Sequence, residues 1–398
     1  MTDFSTRTVH GDGHANAEPA SPHTVPIYQS SSFTFPSVRD GVAAFQGSGA
    51  YLYTRKGNPT VRALERHITA LETAPVHTPG GTRAPETTVD TLFFTSGMAA
   101  ISAAVLGVAA GGRVVCQGGI YGTTEAMVGG LARFGVEVDF ARVADLDHLR
   151  ATVEDGPPPE LVYVETPANP LVQATDIETA AGIARAAGAR LAVDSTFASP
   201  AIQRPLAWGA DLVLHSTTKF MAGHGVVLGG SVTGDAELLR DAIEPMRARF
   251  GGSADPFAAW LTLNGLKTLA LRMERNSANA EAVAAALRDH PRVTRVFRPD
   301  LDALPPGQMA TGGPMLAFEV EGGSEAALDL IDRLELVTLA PTLGDIDTLV
   351  QHPWSMSHVV LPEERRLEMG IGPGVLRVSI GIEGADDLVA DFVRALGA

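Results

Sequence analysis

From residue 92 to residue 232 the chain alternates between two apolar patterns. Short runs in which nearly every position is apolar, at 92–94, 113–116, 136–140, 161–165, 191–194, 212–215 and 226–232, predict strands. Between them, at 98–109, 123–133, 145–152 and 176–188, apolar residues recur every three or four positions and predict helices. Strands this continuously apolar are buried on both faces, so the alternation predicts an α/β fold whose mostly parallel sheet is flanked by helices. Ligands of such sheets gather at the carboxyl ends of the strands. The residues that follow each run are therefore where chemistry is to be sought.

The flanks read differently. Residues 1–59 show little periodicity and many Gly, Pro and Ser, which predicts an arm that gains order by packing on something else, such as a second subunit. From Thr60 the spacing of Val61, Leu64, Ile68 and Leu71 predicts a helix, and the Pro-, Thr- and Gly-rich stretch 73–90 an exposed loop. One long helical pattern from 256 to about 287 leads to strand candidates at 315–320, 336–339 and 375–380 and helices at 324–334 and 386–396. The expected organisation is an arm (1–59), a large ligand-binding domain (60–255) and a smaller α/β C-terminal domain (256–398) that includes the connecting helix.

Composition narrows the function classes. With 46 acidic against 30 basic side chains the formal charge is −16, which argues against a broad nucleic-acid or anionic-membrane surface. The first residues lack the charged and apolar regions of a signal peptide, and no run of 18 apolar residues occurs, so a soluble cytoplasmic protein is expected. The single cysteine, Cys116, excludes an intrachain disulfide framework and multi-cysteine zinc sites, and reads as a buried strand-end thiol. His215, His224, His352 and His358 lack metal-motif spacing and suggest structural roles, so no metal is expected. No Gly-x-Gly-x-x-Gly follows a strand and opens a helix, which disfavours a nicotinamide enzyme.

Three lysines occur in the chain, and one, Lys219, ends His-Ser-Thr-Thr-Lys just past an apolar run. An amine there can form a Schiff base with an aldehyde once its pKa is lowered. Asp194 ends another run and would suit a pyridinium nitrogen, while Ser216 and Thr218 offer hydroxyls to a phosphate. These are the groups that pyridoxal 5′-phosphate (PLP) needs from a protein. Gly97 and Met98 follow Ser96 at a strand-to-helix junction, a phosphate site or an ordinary cap. Tyr53 and Arg55 could add a phenol and a bidentate cation, or form a surface pair. Tyr121 could stack on a ring or be a rim tyrosine; Asn169 could meet a ring hydroxyl or shape the turn before Pro170. Arg377, a charge within an apolar strand, is the candidate for a substrate carboxylate, with an internal ion pair or an edge-strand charge as the alternatives.

Taken in order, Tyr-Thr-Arg-Lys-Gly-Asn-Pro-Thr (53–60), Ser-Gly-Met-Ala-Ala (96–100), Tyr-Gly-Thr-Thr (121–124), Glu-Thr-Pro-Ala-Asn-Pro (165–170), Val-Asp-Ser-Thr-Phe (193–197), His-Ser-Thr-Thr-Lys (215–219), Gly-Leu-Lys-Thr-Leu (265–269) and Leu-Arg-Val-Ser-Ile-Gly-Ile-Glu (376–383) resemble the Cys/Met-metabolism, or trans-sulfuration, PLP enzymes across nearly the whole chain. The resemblance implies an aminotransferase class I-like fold and a homotetramer of catalytic dimers. It implies that Tyr53 and Arg55 reach the phosphate of the neighbouring subunit, and that Gly97, Met98, Ser216 and Thr218 bind it within the same subunit. It further implies Tyr121 as ring-stacking residue, Asp194 as partner of the pyridine nitrogen, Lys219 as Schiff-base lysine and Arg377 as carboxylate binder. Thr342 stands where the family usually has a substrate-side Ser.

Within the family, the stretches 35–41 and 343–353 look most like the methionine γ-lyases, with the cystathionine γ-lyases near them. Pro341 stands where cystathionine-handling members commonly carry a Glu for the distal ammonium, which disfavours cystathionine. Departures are Thr123 in place of a cysteine, Val226 in place of a frequent Asp, and a longer 73–90 segment. The expected reaction is γ-elimination on a sulfur amino acid, best L-methionine, with Lys219 as base and Tyr121 as proton donor to the thiolate. Alternatives are γ-replacement on O-acetyl- or O-succinylhomoserine, a cystathionine γ- or β-lyase, and a non-catalytic protein retaining the fold.

Overall fold

The computed structural model of the protein describes residues 3–11, 22–359 and 361–397; residues 12–21 of the expected arm lie outside the described residues. Fourteen strands occur among them: β1 (Val76–Thr78), β2 (Gly81–Arg83), β3 (Val89–Phe94), β4 (Arg113–Gln117), β5 (Glu137–Ala141), β6 (Leu161–Glu165), β7 (Arg190–Asp194), β8 (Leu212–His215), β9 (Gly230–Asp235), β10 (Val293–Phe297), β11 (Met315–Val320), β12 (Thr338–Leu339), β13 (Leu349–Gln351) and β14 (Val375–Ser379). Seven form the main sheet in the order β3-β9-β8-β7-β6-β4-β5. β9 runs antiparallel to both its neighbours, and the other pairs are parallel.

Alternating residues of the central strands serve two cores, as side chains of period two require. Leu161 and Tyr163 pack with Ala100, Ala104 and Val105 of the helix Gly97–Ala109, whereas Val162 and Val164 pack with Ile177, Ala180 and Ala184 of the helix Ile177–Ala186. All these residues are almost fully buried, and each large aliphatic one contributes about 1.5–3 kcal/mol. A second sheet, β10-β11-β14-β13-β12, is covered by the helices Leu269–Arg288, Gly323–Arg333 and Ala385–Leu396. Leu376 and Val378 face that core, so Arg377, between them, points to the other face of the sheet. No described helix is long and apolar enough to cross a membrane.

Four expectations are corrected. The pattern from 256 to 287 is two helices, Pro256–Leu266 and Leu269–Arg288; at the break the Gly265 carbonyl accepts from Thr268 N, in a tighter turn, and from Arg272 Nη2. The run 226–232 enters the sheet only at Gly230, opposite the last residue of β3, leaving Val226 and Leu228 exposed. The run 336–339 pairs only from Thr338, since the Asp391 carboxylate takes the N–H groups of Glu335, Leu336 and Val337. The loop 73–90 contains the hairpin of β1 and β2 and the first residues of β3. In the arm, two short helices, Phe4–His10 and Val38–Phe45, form behind side-chain caps from Asp3 and Ser37.

Candidate active site

The carboxyl ends of β3, β4, β6, β7 and β8 converge on a cavity of about 220 Å³. Of the candidate residues, Gly97, Met98, Tyr121, Asn169, Asp194, Ser216, Thr218, Lys219 and Arg377 line it. Tyr53 and Arg55 do not: they lie exposed elsewhere, with Arg55 against the Tyr53 ring and donating to the Ala248 carbonyl at 3.1 Å. Thr342 stands beside the cavity and contacts two of its members.

Lys219 follows β8 by a tight turn, and its Nζ donates to Thr342 Oγ1 at 2.8 Å. Burial and, secondarily, the positive charge of Arg377 lower its pKa to about 8. Gly344 lets the 341–344 loop approach: its φ is +83°, and a Cβ there would sit 2.9 Å from Lys219 Cα and 2.6 Å from the Phe220 nitrogen. Arg272 holds the other side of this turn by donating to the carbonyls of Phe220 and Met221.

Arg377 is 4% exposed and has no carboxylate partner among the described residues. Its Nη2 donates to the Thr342 carbonyl at 2.9 Å, its Nη1 to Asn169 Oδ1 at 3.1 Å, and its buried Nε finds no partner. The internal ion pair weighed as one alternative is thus not formed. Burial lowers even this guanidinium to about 10. A buried cation with donors to spare is costly unless an anion joins it. Asn169, which could meet a ring hydroxyl, has its side-chain oxygen on Arg377, and that bond leaves the amide NH₂ as a donor.

Asp194 is buried at the end of β7, where Thr196 donates to its Oδ1 through both hydroxyl (2.6 Å) and N–H (3.0 Å) and Tyr163 donates to Oδ2 at 3.2 Å. Burial raises its pKa, and the Thr196 bonds oppose the rise. Thr196 Oγ1 also accepts the Ser216 N–H, which ties β7 to the turn after β8. Glu165, directly beside Asp194 across the β6–β7 ladder, is pushed up to about 8 by burial and then by the charge of Asp194.

The helix Gly97–Ala109 starts at the cavity wall, with Ser96 Oγ capping Ala99 N. The N–H groups of Gly97 and Met98 are ones that helix geometry leaves without intrahelical partners. A Cβ on Gly97 would lie 2.8 Å from Ser216 Cβ, so glycine lets the two segments close together there. Thr218 Oγ1 is engaged with the main chain of Gly229.

Sequence reasoning missed Thr196, Tyr163 and Glu165. Tyr163 and Glu165 share a strand face two residues apart, and Thr196 stands two residues past Asp194, an Asx-turn spacing. The histidines go separate ways: His215 meets the buried Glu72 carboxylate at 2.5 Å, His224 the Ala222 carbonyl, and His352 the Pro373 carbonyl.

The Cys/Met metabolism PLP-dependent enzyme family model matches residues 5–397. An L-methionine gamma-lyase of Porphyromonas gingivalis is 39% identical over 99% of this chain and 96% of its own length. An O-succinylhomoserine sulfhydrylase of Pseudomonas aeruginosa is 38% identical over 96% of this chain and 92% of its own. The crystal structure of a cystathionine gamma synthase from Xanthomonas oryzae pv. oryzae superposes with a TM-score of 0.87 at 35% identity, covering 99% of this chain and 97% of that one. The cavity fits the cofactor that the family name specifies: an amine of lowered pKa, a buried carboxylate held by donors, a helix N-terminus cleared by glycine, and a guanidinium with no carboxylate partner among the described residues. The chain belongs to the Cys/Met-metabolism PLP-dependent enzymes, with PLP as its cofactor.

Proposed function

We propose that the protein catalyses γ-elimination on a sulfur amino acid, converting L-methionine and one water to methanethiol, 2-oxobutanoate and ammonia. The observation that carries this reading is the buried Arg377 guanidinium, unpaired by any described carboxylate and joined through Thr342 to Lys219. An α-amino acid has one carboxylate for the first and one α-proton for the second. When bound, PLP supplies the carbonyl that takes up the substrate amine and the electron sink for the carbanion. Lys219, with a pKa of about 8, removes the Cα proton near neutral pH. Asp194, held by Thr196 and Tyr163, would offer its carboxylate to the protonated ring nitrogen, and Gly97, Met98, Ser216 and Thr218 would hold the phosphate. Tyr121, half-exposed at the cavity, would cover the ring and would give its phenolic proton to the departing thiolate.

Leu228, Pro341 and Leu343 give the cavity an apolar section, which suits a thioether better than the distal ammonium and carboxylate of cystathionine. The exposed Tyr53 and Arg55 support an assembly in which each arm completes a neighbour's phosphate site within a homotetramer. The distribution of the two sheets supports the division into 1–59, 60–255 and 256–398.

A second reading, γ-replacement on an acylated homoserine, has the 38%-identical sulfhydrylase behind it. The purified holoenzyme is assayed for 2-oxobutanoate from L-methionine, from L-cystathionine, and from O-acetyl- or O-succinylhomoserine with sulfide. Ketoacid from methionine supports elimination. Homocysteine formed only from the esters overturns it in favour of replacement.

A further inference from the structure

Glu165 ends β6 inside the cavity and is 4% exposed. Both its carboxylate oxygens are committed to main-chain donors on different loops: Oε1 accepts the Asn169 N–H at 2.8 Å and Oε2 the Tyr121 N–H at 3.1 Å. Tyr121 is the residue before the helix Gly122–Gly129, so this bond holds the chain where that helix begins. Asn169 in turn accepts from Arg377, which donates to the Thr342 carbonyl, while the Thr342 hydroxyl accepts from Lys219. One hydrogen-bonded series thus runs from Lys219 to Tyr121, and Glu165 is the member that joins its two loops.

We propose that Glu165 is the positioning residue of this site: its carboxylate fixes the Tyr121 loop against the Asn169 loop and, through Asn169, sets the Arg377 guanidinium for the substrate carboxylate. Its chemistry is otherwise hard to explain. A second acid beside Asp194 in a buried site carries a desolvation cost and a like-charge repulsion, both visible in its raised pKa. Glutamine would fill the same space without either, yet it has one acceptor oxygen and an NH₂ that would confront the other N–H donor. Of side chains of this length, a carboxyl group presents an oxygen to each N–H, and these two bonds oppose the rise in its pKa. The Glu165 main chain is itself anchored, its carbonyl accepting from Gln117 Nε2 at 3.0 Å.

The inference rests on the reading of Tyr121 and Arg377 given above, so the test uses two readouts. Glu165→Gln, Asn169→Ala and the double variant are prepared as holoenzymes. They are compared by the visible absorbance and circular dichroism of bound PLP, by KM and kcat on whichever substrate the wild type turns over, and by Tm. Glu165→Gln is expected to raise KM about tenfold, the worth of one bond to a charged group, and to change the cofactor's dichroism through Tyr121. In the Asn169→Ala background the same change raises KM by less than about twofold, since Arg377 has already lost that support, but still changes the dichroism. A Glu165→Gln enzyme with wild-type KM and dichroism, or KM effects that multiply in full, overturns the proposal even if Tm falls. Should the Gln variant not fold, Glu165→Asp, too short to span both donors, carries the same expectations. Spectral readout does not depend on the substrate, so a wild type inactive on methionine counts against the functional reading alone.

Discussion

Lys219 and Arg377 meet at one residue: Thr342 takes the Lys219 Nζ on its hydroxyl at 2.8 Å and the Arg377 Nη2 on its carbonyl at 2.9 Å. Side chain and main chain of the same threonine therefore serve different groups. Thr342→Val keeps the shape and the carbonyl but removes the hydroxyl, leaving the lysine without its partner while Arg377 keeps its bond. The expected result is a fall of about tenfold in kcat with KM nearly unchanged, the loss of one bond to an ionisable group. Steady-state kinetics checks it, and a rise in KM with unchanged kcat would show that the hydroxyl serves substrate binding instead.

The lowered pKa of Lys219 makes a prediction about cofactor loading. The free amine attacks an aldehyde and the ammonium does not, so the nucleophilic fraction rises as pH passes about 8 rather than above 10. Apoprotein mixed with excess PLP should load faster as pH climbs from 7 to 8.5 and level off beyond about 9. Stopped-flow absorbance follows this directly; a rate still rising steeply beyond pH 10 would place the lysine at its ordinary value.

Gly344→Ala is expected to disturb Lys219 from the opposite side. The positive φ of Gly344 disfavours any Cβ, and an added one would collide with the main chain at Lys219 and Phe220 rather than with a movable side chain. Loss of 1–3 kcal/mol in stability is the order expected from such strain, with weaker PLP retention on dialysis. Unchanged Tm and PLP affinity would show that the loop relaxes freely.

How much of this was legible in the sequence depends on whether the cause was local. Strands such as β6 and β7 are apolar on both faces because each face meets a helix, and that requirement is written into every residue of the run. Arg377 stood out for the same reason, a charge where the pattern demanded none. The break after Leu266 was not legible because it sits where Arg272 bonds both Gly265 and the Lys219 turn, a tertiary contact that the local pattern does not show. Nor was the exposed stretch before Gly230, whose limit is set by where β3 ends. Glu165 read as a strand boundary, since nothing local reveals that its carboxylate spans two loops. Tyr53 and Arg55 stood out by their phenol and guanidinium, and the resemblance alone gave them a target in another subunit.

His358 supplies a prediction about stability against pH. It is 1% exposed, with Nδ1 bonded to Ser357 Oγ at 2.8 Å. Burial, followed by the positive charges of Arg377 and Arg366, depresses its pKa to about 4. Unfolded, it titrates near 6.5. The fold thus holds the neutral imidazole and the unfolded chain binds the proton more readily, so the contribution to stability is complete above about pH 6.5. It is lost progressively as pH falls through 6.5 toward 4. The size is on the order of 2 kcal/mol, and other groups titrate in the same window, so the comparison has to be between variants. His358→Gln removes the titration while keeping a polar side chain. Its Tm between pH 7 and pH 4.5 should fall less than that of the wild type, whatever its absolute value. Equal slopes in the two proteins would mean that His358 is protonated in the folded state as readily as in the unfolded chain, and that the charges of Arg377 and Arg366 are screened from it.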